Sequence, residues 1–432
     1  MVASGRIKSH EHHELPILGQ DKSALKAAVV YGANAAGKSN LVVAMDLARD
    51  AVIHGNGPIK RIAASQFAKS EESPSQFQFL FQTKNYQFDY GFETKGEKVI
   101  AEWLVLESSV HTKKEVKLFE RSNSEIAVAE SSRLPDGKEL AQLLETLNSL
   151  GAKEDQLFLH QVISSTSPEK RGPTLNAAIN WFEHGLTVIM PHASHVGLLS
   201  MIDRQPEFRD WASSFLSATS TGINGMKVEK TKIPAEDMPE PIVDMLQDGT
   251  NFFGSPLMEF ELDKSDSKKV VRRNLKMLHP LPDDQGFELP LREESDGTRR
   301  LLELLPALYQ CGAETDEYDG DVTFVIDGLD RSMHPVLAHA FLKFFLKTVH
   351  AKQHQLIVTT HETHLLDGDL LRRDEIWFAE KDKSQVSKTY SLMDFKPRND
   401  LRLQRGYLHG RFGAIPFIGN MDKLQELLTD GA

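Results

Sequence analysis

Residues 25–31 read Leu-Lys-Ala-Ala-Val-Val-Tyr, apolar at nearly every position, which predicts a short strand buried on both faces. Beyond a small-residue break, Leu41, Met45, Ala48 and Val52 recur at helical spacing, with no proline or glycine until Gly55. The period then becomes two. Phe77, Phe79 and Phe81 alternate with polar residues, as do Tyr86, Phe88, Tyr90 and Phe92, with Asn85 near the turn. Hairpins forming a β-lobe over 77–107 are expected, with the rings in its core rather than as a base-stacking platform. Residues 137–225 are mostly helical in pattern, clearest at 140–147 and around 176–181, in short pieces cut by proline and glycine. The stretch 231–256 holds Pro234, Pro239 and Pro241 and reads as irregular connection, followed by a strand-like 257–262. From about Phe287 strand and helix patterns alternate again. Neither sustained heptads nor an internal repeat is visible.

The break after Tyr31 carries chemistry. Gly32-Ala33-Asn34-Ala35-Ala36-Gly37-Lys38-Ser39 fits the phosphate-binding loop pattern, and it sits between a predicted strand and a predicted helix as that motif requires. Small residues let successive backbone N–H groups turn inward around phosphates. Lys38 supplies a point charge, Ser39 offers a hydroxyl to Mg²⁺, and the helix start favours an anion.

Composition narrows the setting. The 432 residues are 40% hydrophobic and 26% charged, ordinary for a globular chain of two or three domains. No run approaches about 18 apolar residues, so no transmembrane helix is expected. The start shows no apolar secretory core. Cys311 is the single cysteine, which excludes an internal disulfide or a Cys-x-x-Cys metal site. These features together point to the cytoplasm. A net charge of −12 argues against broad nonspecific nucleic-acid binding, although a local basic groove remains compatible with it. His10, His12 and His13 cluster near the start, where a solvated arm is favoured over a metal site.

Three further segments can serve a nucleotide. The run 322–326 is β-branched and apolar and ends in Asp327, a strand delivering a carboxylate to the Mg²⁺ side of a nucleotide. The run 355–360 leads into His361, which could meet a γ-phosphate or simply be a loop histidine. Ser295 opens an apolar helix pattern, which reads either as a cap or as a helix start facing phosphate.

In this order the elements resemble ABC-type ATPases: Gly32-x-Asn34-x-x-Gly37-Lys38-Ser39-Asn40, then Ser295-Asp296-Gly297, then Asp327, then His361. Lys38-Ser39-Asn40-Leu41 is more similar to the structural-maintenance-of-chromosomes and RecF side than to transporters. The run 31–40, the run 294–300 and the runs 324–335, 359–367, 372–377 and 410–416 resemble the AAA-annotated ATPases of bacterial abortive-infection and anti-phage systems. The resemblance spans nearly the whole chain and is far more specific for the ATPase than for its biological role. It implies ATP and Mg²⁺ as ligands. Gly32, Asn34, Gly37, Lys38, Ser39 and Asn40 would form the phosphate site. Ser39 and Asp327 would serve the metal, with Gln66 as a weak candidate for the Mg²⁺-sensing glutamine. His361 would be the switch histidine. Ser295 and Gly297 would contact the γ-phosphate held by another copy, with 330–334 near the seam. A homodimer, or a higher assembly of dimers, follows from that arrangement.

Two departures stand out. Where the family usually has a glutamate general base after the Walker B aspartate, this chain has Gly328. Slow hydrolysis is expected unless Asp330, Glu294 or His361 substitutes; losing a positioned base costs on the order of 10²- to 10⁴-fold. Gly328 is open to two readings, a native feature or an introduced substitution that traps the ATP state. Relatives also open with a strand and hairpin, whereas only 24 polar residues precede Leu25, which reads as a truncated or misassigned start and leaves adenine contacts open.

The expected architecture is α/β: an ABC-type P-loop ATPase core with a β-lobe and a mainly helical insertion. Residues 1–75 would be the first half of the core, 76–125 the β-lobe, 126–280 the insertion and 281–432 the second half. The expected role is an ATP-dependent sensor and scaffold in anti-phage defence. It would control a separate toxic effector such as a nuclease, with a phage protein as candidate trigger. The effector rests on family analogy, because the chain carries no nuclease or protease constellation of its own. A RecF-type DNA-repair ATPase is the rival, and DNA as a ligand stays open. A non-hydrolysing protein stapled by ATP is a third reading, and a transporter subunit the least favoured.

Overall fold

The computed structural model describes residues 1–62, 73–110, 114–128, 136–149, 151–191, 197–247, 252–255, 258–263, 265–281, 286–312, 320–348, 353–396 and 402–416. Its strands, in chain order, begin with β1 (Glu14–Pro16), β2 (Ser23–Leu25) and β3 (Ala27–Tyr31). There follow β4 (Ser75–Gln82), β5 (Tyr86–Lys95), β6 (Lys98–Ser109), β7 (Val116–Ser122), β8 (Glu125–Val128) and β9 (Leu186–Ile189). The second half holds β10 (Gly225–Pro234), β11 (Phe252–Ser255), β12 (Met258–Asp263), β13 (Asp266–His279) and β14 (Phe287–Pro290). It ends with β15 (Thr323–Ile326), β16 (Gln355–Thr360), β17 (Ile376–Lys381) and β18 (Ser387–Ser391). The helices used below are α1 (Lys38–His54), α2 (Gly137–Ser149), α3 (Phe158–Ser165), α4 (Leu198–Arg204), α5 (Glu240–Gln247) and α6 (Asp296–Gly312).

The chain folds into two compact units. The first comprises 1–188, 318–328 and 353–432. At its centre a six-stranded sheet runs β18-β17-β3-β16-β15-β9. β17, β3, β16 and β15 are parallel neighbours, with Ile376 opposite Val29, Val358 opposite Val29 and Ile326 opposite Val358. Every residue of β3 is buried, as expected for a parallel strand covered on both faces.

The β-lobe is a five-stranded antiparallel sheet, β4 through β8 in sequence order. Phe88, Tyr90 and Phe92 are fully buried, and Phe81 stacks on Trp181 with ring centroids 4.1 Å apart. Core packing therefore accounts for these rings. One polar network is buried behind them. Glu102 accepts the Leu159 N–H at 2.9 Å and the Phe158 N–H at 2.5 Å, closing the first turn of α3, and accepts the Tyr90 hydroxyl at 3.0 Å. Burial pushes the Glu102 carboxyl up, against the two backbone N–H groups that favour its charge. Glu102→Gln is expected to cost about 1–3 kcal/mol, because an amide presents donors where the site supplies donors. A urea denaturation midpoint equal to the parent's would contradict this.

The first 24 residues differ from the solvated arm expected of them. β1 and β2 form an antiparallel pair. The reason is Arg372, whose fully buried guanidinium bonds Asp374 at 3.0 Å, Glu14 at 2.8 Å and the Ser9 carbonyl at 3.1 Å. Asp374 also accepts the Ser4 N–H at 2.7 Å. The run 372–377 thus fastens the chain start.

The second unit comprises 189–317 and 329–352. It departs from the helical expectation in its latter half. β10, β13, β12 and β11 form an antiparallel sheet, and β14 adds to β13. The prolines that suggested a connection have other jobs: Pro234 ends β10, and Pro241 sits in the first turn of α5, where its missing N–H costs nothing. Glu259 of β12 accepts the Leu199 and Ser200 N–H groups, both at 2.8 Å, and so caps α4.

Candidate functional site

β3 ends at Tyr31 and the chain turns through 32–37 into α1. The turn holds two residues in the left-handed region, which glycine takes freely and which costs an alanine about 1–2 kcal/mol. Ala35 lies at φ +61° and Gly37 at φ +99°. A Cβ on Gly32 would stand 2.4 Å from the Ala379 carbonyl oxygen of β17, so the loop and its neighbouring strand approach backbone to backbone. Asn34, Ser39 and Asn40 are exposed around this loop, and Lys38 is buried within it.

Lys38 donates to the Gly32 carbonyl at 2.8 Å and to the Ala33 carbonyl at 3.0 Å. Its Nζ also lies 3.1 Å from Nε2 of His361. Residues 323 positions apart in sequence, singled out separately as phosphate lysine and switch histidine, therefore meet. The sheet order explains it. β3 and β16 are parallel neighbours with Tyr31 opposite Thr360, so the loop after β3 and His361 after β16 leave the same sheet edge side by side.

β15 lies on the other side of β16 and delivers Asp327 to that edge. The carboxylate is buried and accepts a short hydrogen bond from Thr359 Oγ1 of β16. The same hydroxyl accepts the Gly328 N–H at 2.8 Å. Gly328 lies at φ +62°, in the left-handed region. Thr359 was missed from the sequence; its role is set by pairing across two strands. Glu362 was also missed. It follows His361, accepts the His364 N–H at 2.9 Å, and places a second carboxylate one residue from the switch position. All these groups sit at the carboxyl ends of adjacent parallel strands, where open α/β sheets bind ligands.

The donor set suits a hard cation with a triphosphate: one hydroxyl, Ser39, one carboxylate, Asp327, and a lysine in a cradle of backbone amides. Gln66 lies outside the described residues.

Ser295 and Gly297 belong to the second unit. Ser295 Oγ accepts the Thr298 N–H at 3.1 Å, so it caps α6 as the plainer reading expects. Gly297 is fixed by a close approach, since a Cβ there would stand 2.6 Å from the Ser332 carbonyl oxygen. The start of α6 and the turn at 330–334 are therefore packed together within that unit. Glu294, one of the substitute bases considered, is engaged by His279 Nε2 at 2.7 Å.

Among the described residues no helix is long and apolar enough to cross a membrane. No curated protein matches the sequence. Among solved structures, one described as an Smc head bound to the C-terminal winged-helix domain of ScpA aligns over 86% of this chain and 91% of its own, at 12% identity and a TM-score of 0.33. The model of one family, an AAA domain described as a putative AbiEii toxin of a type IV toxin–antitoxin system, matches residues 27–182 and 235–367, well over half the chain. Those residues include the phosphate loop, Ser295, Gly297, Asp327 and His361, and the chain is a member of that AAA family of P-loop ATPases.

Proposed function

We propose that this protein is an ATP-dependent sensor and scaffold in anti-phage defence. It binds MgATP at the phosphate loop, pairs with a second copy, turns nucleotide over slowly, and holds or releases a separate toxic effector. The observation that carries most weight is the 3.1 Å approach of Lys38 to His361, which joins the two ends of one nucleotide site.

Each residue has a defined task in this reading. The loop amides and Lys38 hold the β- and γ-phosphates, and Asn34 and Asn40 line the mouth. Ser39 and Asp327 hold magnesium, which when bound offsets charge on the phosphate oxygens. Thr359 keeps Asp327 aimed. His361 reaches the γ-phosphoryl group. Gly328 offers no carboxylate to orient water, so the loaded state is long-lived. Ser295 and Gly297 of a second copy complete the site, and the packing of Gly297 against Ser332 supports treating 295–297 and 330–334 as one contact surface.

The toxin–antitoxin description of the family supports the defence role. Affinity capture from the native host is expected to recover a second protein, and deletion of the gene to raise phage plating. Recovery of no partner together with unchanged plating would refute the role.

A further inference from the structure

His10, His12 and His13 were expected to lie on a solvated arm. They instead form a compact group at the amino end of the sheet, away from the strand ends that carry the phosphate loop. Their ring centroids lie 5.0 Å apart for His10 and His13 and 4.3 Å for His12 and His13. One ligand nitrogen from each can be chosen so that all three lie within 4.8 Å of one another. We propose that His10, His12 and His13 form a binding site for a divalent transition-metal ion of the zinc, cobalt or nickel class, which fastens the chain start to the segment 368–375.

Two observations beyond proximity support a built site. The imidazoles of metal sites characteristically engage a carboxylate or backbone carbonyl through the second ring nitrogen, which fixes ring orientation. His13 Nδ1 lies 3.1 Å from Glu375 Oε2, and His10 Nε2 lies 2.9 Å from the Gly368 carbonyl oxygen. His13 Nε2 and His10 Nδ1 are then the nitrogens left for an ion, and His12 supplies the third. Glu375 is fully buried, and its Oε1 has no hydrogen-bond partner. A cation held by His13 would place a further positive charge one ring away from that buried carboxyl group, in addition to that of Arg372.

The dimensions are compatible. Tetrahedral zinc with bonds of about 2.0–2.1 Å places its nitrogens roughly 3.4 Å apart. A set of one nitrogen per ring already lies within 4.8 Å, so each pair has at most about 1.4 Å to close to that spacing, and His12 is exposed. Three imidazoles favour zinc, cobalt or nickel over the hard cation expected at Ser39 and Asp327. The position has a mechanical consequence. The Lys26 N–H bonds the His13 carbonyl at 2.9 Å just before β3, and Glu375 directly precedes β17, the neighbour of β3. The ion would brace the base of the strand whose other end is the phosphate loop.

The full-length protein, stripped with chelator and dialysed, is titrated with Zn²⁺, and bound metal is counted by elemental analysis. Co²⁺ is used in parallel for its ligand-field absorption. One ion per chain and a rise in the thermal unfolding midpoint are expected. His12→Ala, at an exposed ring, should weaken binding at least tenfold and abolish the rise. His10→Ala should do the same, whereas His184→Ala and Lys38→Ala should each keep the ion. A parent protein that binds no ion would overturn the proposal, as would His10→Ala and His12→Ala variants that bind as the parent does.

Discussion

Lys38→Ala is expected to weaken MgATP binding by roughly 10²- to 10³-fold and to remove any nucleotide-dependent dimer. A charge-assisted hydrogen bond contributes about 1.5–3 kcal/mol, and a lysine in this position serves two phosphate oxygens. Tenfold in affinity is about 1.4 kcal/mol, which sets the range. The fold should survive, because the contacts Lys38 makes with the Gly32 and Ala33 carbonyls and with His361 lie at the phosphate loop. Isothermal titration with a slowly hydrolysed ATP analogue reads the affinity, and sedimentation with and without nucleotide reads the assembly. Parent-like affinity in the variant would remove the chemical basis of the proposed role. The metal site at His10, His12 and His13 would be untouched by that outcome, since it shares no residue with the phosphate loop.

The sequence made the nucleotide site legible where one segment carries its own signal. The apolar run before Gly32 announces β3, and the run before Asp327 announces β15. The joining of the two ends was not legible, because it depends on strand order. Nothing in the residues around 359 says that Thr359 will lie beside Asp327; only the parallel pairing of β15 with β16 says so. The chain start was misread for the same reason. Its polar residues look solvated, and most are exposed, but the buried guanidinium of Arg372, some 360 positions later, binds the Ser9 carbonyl and the Glu14 carboxylate and holds the segment in place. The antiparallel sheet of the second unit was hidden by its charges. Lys227 and Lys276 both pair with Glu288, and Lys276 also with Glu229, so residues facing one another across β10, β13 and β14 read as a polar stretch. The capping reading of Ser295 was available beforehand and is what α6 displays, while its part in a composite site awaits a second copy.

Gly328→Glu is expected to accelerate γ-phosphate release by at least tenfold in a single turnover, with Gly328→Ala showing no gain. A positioned base contributes on the order of 10²- to 10⁴-fold to such a step, and the position after Asp327 is where the resemblance to ABC-type ATPases leads one to expect a carboxylate. The gain will fall short of that full range for a structural reason. Gly328 sits at φ +62°, where any side chain costs about 1–2 kcal/mol, and its N–H is held by Thr359 Oγ1. Both variants should therefore unfold at lower denaturant than the parent by a similar amount, and only the carboxylate should change the chemistry. The alanine variant separates backbone strain from catalysis: a rate rise shared by both would mean that loosening the Asp327–Thr359 contact, and not a new base, limits turnover. An unchanged rate in the glutamate variant would place the base elsewhere, and Glu362, one residue beyond the histidine that meets Lys38, is the carboxylate to replace next.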